Sequence, residues 1–166
     1  MSAVVRQTVG CLWHDASMYR NTLLVVHIAS VAAWLGANFV QLFLAPWFAR
    51  RPVVEHAAWV DASRLLGQRY YNVAGAVIGV SGVLLVVETS YNFSAGFVAV
   101  GIAVIVIGAL LGIFAFTRLA QRQAEALRSG DAATARALGN RIASLAVFDT
   151  ALVVTAVVTM VAKWQA

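Results

Sequence analysis

The chain has 166 residues, of which 61% are hydrophobic and only 11% are charged, and its formal net charge at pH 7 is +5. A soluble domain usually carries about 25% charged residues, so this composition excludes an ordinary soluble protein and indicates a membrane protein. We predict no nucleic-acid partner, because that would require a basic face beyond the charges that orient a membrane protein.

Four apolar runs are long enough to cross a bilayer, which takes about 20 residues of helix. They lie at residues 21–48, 71–89, 93–117 and 142–164. None of them alternates with a period of two, and backbone groups in lipid must be hydrogen-bonded within their own segment or in a closed barrel. We therefore predict an all-α integral membrane protein that forms one domain over residues 1–166, a four-transmembrane-helix bundle.

Arginine is concentrated in two connections. Nine of the twelve cations lie in the first and third connections: Arg50, Arg51, Arg64, Arg69, Arg118, Arg122, Arg128, Arg136 and Arg141. The connection between helices two and three has none. Because the lysine and arginine bias of short connections sets topology, we predict that loops one and three are cytoplasmic and that both termini lie outside the cell's inner membrane.

Both arginine-rich connections have helical character. The first, residues 52–69, has apolar residues at helical spacing, which is typical of a helix lying flat on the inner leaflet. The third is predicted to be a polar helical extension that turns at residues 129–131, with Asp131 as the cap of the helix that follows.

Two glycine pairs indicate close helix packing. Gly75 and Gly79 are four residues apart in helix two, and Gly108 and Gly112 are four apart in helix three. This spacing predicts that each pair offers a flat patch to a neighbouring backbone.

A polar stripe follows one side of helix one. At 100° per residue, His27, Trp34, Asn38 and Gln41 fall within a sector of roughly 60°, and Ser30 lies beside it. Polar side chains in membrane helices usually face the bundle interior or a wet cavity and are candidates for function. The alternative is that they only form hydrogen bonds to other helices and hold the bundle together.

Two carboxylates accompany the stripe. Glu88 ends helix two within about 5 Å in depth of His27, so we predict that it accepts a hydrogen bond from the imidazole. Asp149 is predicted to lie nearer the middle of the bilayer, too deep to contact His27. It is protonated, paired with a helix-one amide, or part of a proton path, and the sequence leaves these three alternatives open.

His27 has three possible chemistries. Imidazole is an axial ligand for haem iron, a ligand for copper or zinc, and a proton acceptor near neutral pH. No other predicted transmembrane segment contains a histidine, so a haem b would be five-coordinate, use another second ligand, or lie between two subunits. Outside the membrane, Cys11, His14 and Met18 are spaced to suit a soft metal, but the pattern is weak and an exposed tail is the favoured explanation.

The pattern of His27, six residues, then Trp34, Leu35 and Gly36 resembles the first helix of the copper-resistance D-like membrane proteins. The same spacing also resembles the small membrane protoporphyrinogen IX oxidases, which are similar in length and helix number. The second resemblance implies a haem-linked role for His27, and the first implies transport or handling of copper. The oxidases carry an arginine and a histidine at the cytoplasmic end of helix one and a lysine in helix three, whereas the matching stretch here reads "LAPWFARR", without a histidine, and helix three has no ionisable residue.

Three functions remain open. The first is binding of haem or another redox cofactor, for electron transport, through the metal ligand His27, with a cofactor-binding set of His27, Trp34, Asn38, Gln41 and Glu88. The second is a non-catalytic accessory subunit of a larger respiratory or transport complex, which implies other membrane subunits or a homo-oligomer as partners besides the bilayer. The third is copper or proton transport along the stripe. No catalytic residue is predicted, since Cys11 lacks a paired base and no phosphate-binding loop occurs.

Overall fold

A computed structural model describes residues 3–89 and 91–163, with side chains from residue 17 onward. The described residues form four helices and no strand: α1 (Ala3–Phe48), α2 (Val53–Glu88), α3 (Gly96–Ser129) and α4 (Ala132–Ala162).

All four helices are long and apolar enough to cross a membrane. Much of their apolar surface faces outward: Phe43 is 83% exposed and Val161 is 80% exposed. A soluble monomer rarely exposes a large continuous apolar surface, whereas lipid covers one readily. The predicted number of membrane-length helices is therefore confirmed among the described residues, and the exposed apolar surface is consistent with a membrane protein.

The helices extend beyond the predicted membrane spans. α2 begins at Val53 rather than at residue 71, whereas the continuation of α3 to Ser129 and the start of α4 at Ala132 confirm the predicted helical extension of the third connection. The prediction counted apolar residues, which detects only the part of a helix suited to lipid. The polar remainder stays helical because it is rich in alanine, glutamine and arginine, which favour helix.

These polar segments pack on one another and form what we call the extension. Its buried core consists of Ala57, Val60, Ala120, Ala124, Ala126, Leu127 and Ala135. Arg128 of α3 also forms an ion pair with Asp61 of α2. The prediction that the first connection lies flat on the leaflet is therefore wrong, since its helical part is the beginning of α2 and packs against α3.

The predicted turn of the third connection is confirmed. α3 ends at Ser129, and Gly130 adopts the left-handed conformation with φ of 79°. Asp131 then caps α4, because its Oδ1 accepts a hydrogen bond from the backbone N–H of Thr134 at 3.0 Å.

Two π-helical turns mark the level where the extension meets the apolar half. Leu66–Tyr71 interrupts α2 and Leu111–Phe116 interrupts α3, and the two turns contact each other. At the end of the second turn, both the backbone N–H and the hydroxyl of Thr117 donate to the carbonyl of Gly112, the hydroxyl at 2.9 Å. Such turns are frequent at functional sites, and the first one ends at Tyr71.

The apolar half has its own core, to which all four helices contribute. Its buried members are Trp34, Ala74, Ile78, Val104, Val153 and Ala156. α1 and α2 are antiparallel neighbours, and the indole of Trp34 packs against Gly75 of α2 and Gly108 of α3. The prediction that these glycines pack against a neighbouring backbone is therefore wrong, because Gly75 and Gly108 make room for the side chain of Trp34.

Candidate functional site: a buried polar chain in the apolar half

The polar stripe of α1 points into the bundle. His27, Trp34 and Asn38 are each only 8% exposed, and Gln41 is half-buried. Ser30, at the edge of the stripe, donates to the carbonyl of Val26 in its own helix at 2.8 Å. The 100° periodicity of a straight helix therefore places the predicted residues on one interior face.

His27 is held by a serine of α2. Its Nδ1 lies 3.0 Å from Oγ of Ser81, and the Ser81 hydroxyl donates to the carbonyl of Val77 at 2.5 Å. When the serine proton is used in that bond, the serine oxygen accepts from His27, an arrangement that puts the ring proton on Nδ1 and the lone pair on Nε2. In that tautomer Nε2 of His27 can accept a proton or bind a metal.

Glu88 is not the hydrogen-bond partner of His27 that the sequence predicted. It is exposed at the end of α2, seven residues beyond Ser81 and therefore about 10 Å further along the helix axis. The neighbour that the structure brings to His27 is Ser81. This serine was identifiable in principle, since it is the one hydroxyl within the apolar stretch from 73 to 87.

Asp149 is buried, 6% exposed, and lies against α1. Its Oδ2 accepts a hydrogen bond from Nδ2 of Asn38 at 2.9 Å, and Nε1 of Trp34 lies 3.4 Å from the same oxygen. Of the alternatives left open by the sequence, the contact with a helix-one amide is present. Within the described part of the chain Asp149 has no ion-pair partner, so neutral N–H groups alone stabilise its charged form.

The hydrogen bonds continue from Asn38 towards the arginine-rich connections. The Tyr71 hydroxyl donates to Oδ1 of Asn38 at 2.7 Å, and Nε2 of Gln41 donates to the Tyr71 oxygen at 2.7 Å. Asp149, Asn38, Tyr71 and Gln41 are therefore joined in series, and we call them the polar chain. The sequence analysis used Tyr71 only as the first residue of the second apolar run and missed its place in the polar chain.

A small cavity separates the polar chain from His27. Its volume is about 40 Å³, and it lies between the four helices beside His27 and Trp34. The other lining residues are apolar or glycine: Val31, Ile78, Gly101, Val104, Ile105, Val153, Ala156, Val157 and Met160. The two polar parts of the site are thus connected only through an apolar space.

This space does not fit a haem. Sites for cofactors of that class measure about 300–1,000 Å³, roughly ten times the cavity beside His27. No group of three or more metal-ligating His, Cys, Asp or Glu side chains occurs among the described residues, and Met160 is the other cavity-lining side chain of a kind that binds soft metals. The side chains of Cys11 and His14 lie outside the described residues, and Met18 is 59% exposed.

The fold and site define a class of protein: a membrane-type four-helix bundle with a hydrogen-bonded polar chain in its interior. Comparison of the chain with protein-family models, with curated proteins and with solved structures gives no match. The site must therefore be interpreted from its own chemistry.

Proposed function

We propose that this protein transfers protons within the inner membrane, along the polar stripe of α1. Asp149 is the central proton-binding group, and the polar chain connects it to the arginine-rich side, which faces the cytoplasm. The observation that carries the proposal is the series of hydrogen bonds of 2.7–2.9 Å from Asp149 through Asn38 and Tyr71 to Gln41.

The chemistry of the chain suits protons. A carboxyl, a phenol and an imidazole can each gain or lose a proton. The amide of Asn38, between Tyr71 and Asp149, relays a proton by accepting one at Oδ1 and releasing another from Nδ2 to the carboxylate, and it then returns from the imidic acid to the amide form. An acidic side chain inside a membrane bundle is costly and usually belongs to a proton or ion pathway. A bundle with a cavity of only about 40 Å³ has no passage for a hydrated ion. A proton needs no such passage, because it moves by exchange along hydrogen bonds.

The ends of the stripe support a path across the bilayer. Gln41 lies fourteen residues from His27 on α1, which corresponds to ~21 Å of a hydrocarbon core about 30 Å thick. At one end Tyr71 lies two residues from Arg69, at the boundary of the charged extension. At the other end His27 offers a proton-accepting Nε2 in the opposite half of the bundle.

The other predicted functions are less well supported by the site. A haem needs more space than the cavity beside His27 provides, and copper would find no group of three or more His, Cys, Asp or Glu side chains among the described residues. The hydrogen bonds of the polar chain would also stabilise a non-catalytic accessory subunit, so a flux measurement is needed to distinguish the two roles.

The test is proton uptake into vesicles. The purified protein is reconstituted into liposomes that contain a trapped pH-sensitive dye, and a potassium diffusion potential drives proton entry. We expect the wild type to acidify the lumen faster than protein-free vesicles do, and Asp149→Asn to fall to the protein-free rate. Glu88→Gln is the matched control, because it removes an exposed carboxylate outside the chain and should conduct like the wild type.

Each variant is first shown to be folded by its elution as a single species and by its helical circular dichroism. Wild-type vesicles that acidify no faster than empty ones would overturn the proposal. If that protein also co-purifies stably with larger membrane subunits, the accessory role is favoured.

A further inference from the structure

We propose that the cavity between His27 and Trp34 is a dry gate in the proton path, and that its wetting controls transfer between His27 and Asp149. This inference rests on the proposed function. It concerns the interval between His27 and Trp34, which no hydrogen bond among the described residues covers.

The chain of hydrogen bonds ends at Trp34 on the side that faces His27. The indole N–H is only a donor, and it is directed to Oδ2 of Asp149. On the far side of the cavity, Nδ1 of His27 is occupied by Ser81. His27 and Trp34 are seven residues apart on α1, or about 10 Å, which no direct hydrogen bond spans.

The cavity is large enough for water but chemically unsuited to it. One water needs roughly 10–15 Å³ of such space, and this cavity offers about 40 Å³. A buried water also needs two to four polar partners. Of the side chains that line the cavity, only those of His27 and Trp34 carry a nitrogen or oxygen atom, and the indole N–H of Trp34 already donates to Asp149. Apolar constrictions of this kind interrupt conduction by dewetting.

Two valines line the cavity at a depth between His27 and Asp149. Val104 of α3 and Val153 of α4 are 9% and 8% exposed. Each lies four residues, or ~6 Å, from the level of Gly108 and Asp149 on the side of His27. A hydroxyl at either position would supply the missing polar partner midway across the gap.

The experiment replaces these valines with threonine, which has nearly the same volume and adds one oxygen. Even when a threonine hydroxyl donates to its own helix, the oxygen still accepts from water. We expect Val104→Thr and Val153→Thr each to raise proton uptake about tenfold, the effect of lowering a barrier by ~1.4 kcal/mol. The matched control is Val106→Thr on α3, where the side chain is 51% exposed on the outer surface and the rate should not change.

Different experimental results would overturn the gate and the proposed function. Uptake that depends on Asp149 but is unchanged in both valine variants overturns the gate and leaves proton transfer standing. Uptake that is the same in the wild type and in Asp149→Asn overturns proton transfer itself. A gain in Val153→Thr that disappears when Asp149→Asn is added supports both, and a gain that persists without Asp149 shows a leak and overturns the gate.

Discussion

The indole of Trp34 fills the space that the missing side chain of Gly75 leaves on α2. A Cβ added to Gly75 would lie 2.8 Å from Cζ3 of Trp34, and a Cβ added to Gly108 of α3 would lie 3.3 Å from its Cζ2. Trp34 also forms an edge-to-face contact with Tyr71, with ring centroids 5.2 Å apart. One side chain of α1 therefore sets the spacing of α2 and α3 and the position of the polar chain.

We predict that Gly75→Ala destabilises the bundle by about 1–3 kcal/mol, the usual cost of an added methyl group in a packed core. The added methyl group would contact the rigid ring of Trp34, which is packed on several sides and has little room to move away. The free energy of unfolding in mixed micelles, followed by circular dichroism, measures the effect.

Gly79→Ala is the control on the same helix. A Cβ at Gly79 meets nothing within 4 Å, so this substitution should be neutral or stabilise the helix by up to about 1 kcal/mol. Equal losses of stability in the two variants would contradict the role assigned to the Trp34 contact.

Counting apolar residues predicted the four membrane-length segments but not the ends of the helices. Counting apolar residues does not detect the extension, because its buried core is mainly alanine, as at Ala124 and Ala135, and its outer surface is charged. The capping residue Asp131 was predictable because its signal is local, an acidic side chain directly after a glycine at a helix start.

The site was half predictable for a similar reason. His27, Trp34 and Asn38 share one helix, so their common face follows from the helical period. Their partners Ser81 and Tyr71 come from α2, and the register between α1 and α2 depends on packing between distant residues. The π-helical turn that ends at Tyr71 also breaks the period of 100° per residue in α2, which no count along the sequence takes into account.

Asn38 and Asp149 should be energetically coupled. In a double-mutant cycle with Asn38→Ala and Asp149→Ala, we expect a coupling energy of about 0.6 kcal/mol and at most ~1.7 kcal/mol, the range known for hydrogen bonds between membrane helices. Unfolding in mixed micelles gives the four free energies. The cycle of Asn38→Ala with Glu88→Ala is the control and should be additive within about 0.5 kcal/mol, and coupling of equal size there would contradict the assignment.

The cavity volume makes a prediction about haem. Protein purified after expression with ample haem should show no Soret band that depends on His27, because about 40 Å³ cannot enclose a porphyrin. Visible spectra of the oxidised and reduced protein measure this, with His27→Ala and, as the matched histidine control, His56→Ala. A band that is lost only in His27→Ala would show that the helices part to admit the cofactor, and metal analysis of the same samples tests for copper.

Asp131 gives the extension a measurable pH dependence. Hydrogen bonds from the side chain and then the backbone N–H of Thr134 hold the pKa of Asp131 below its ordinary value of 3.8. The cap therefore stabilises the fold fully above that value, and its contribution is lost as the pH falls through the lowered folded-state pKa. We expect the wild-type Tm to fall more steeply than that of Asp131→Asn in this acidic range, since asparagine caps without a charge. Parallel Tm curves for the two proteins would contradict the assignment.

Gln123 and Gly139 should behave as a packed pair in the extension. A Cβ at Gly139 would lie 2.7 Å from Nε2 of Gln123, which is 6% exposed and lies 3.4 Å from the carbonyl of Ala135. Although a glutamine side chain is flexible, the buried side chain of Gln123 cannot move aside without breaking its contact with the Ala135 carbonyl. We therefore predict that Gly139→Ala lowers the free energy of unfolding by about 1–3 kcal/mol.

The second variant identifies the cause of that loss. Gln123→Ala removes the obstructing amide, so Gly139→Ala should cost much less stability in the Gln123→Ala background than in the wild type. In that background only the effect of the higher helix propensity of alanine remains. If Gly139→Ala costs the same in both backgrounds, the strain lies in the backbone of α4 and not in the contact with Gln123. The measurement is again unfolding in mixed micelles, with proton uptake as a second reading that should stay unchanged because the pair lies outside the polar chain.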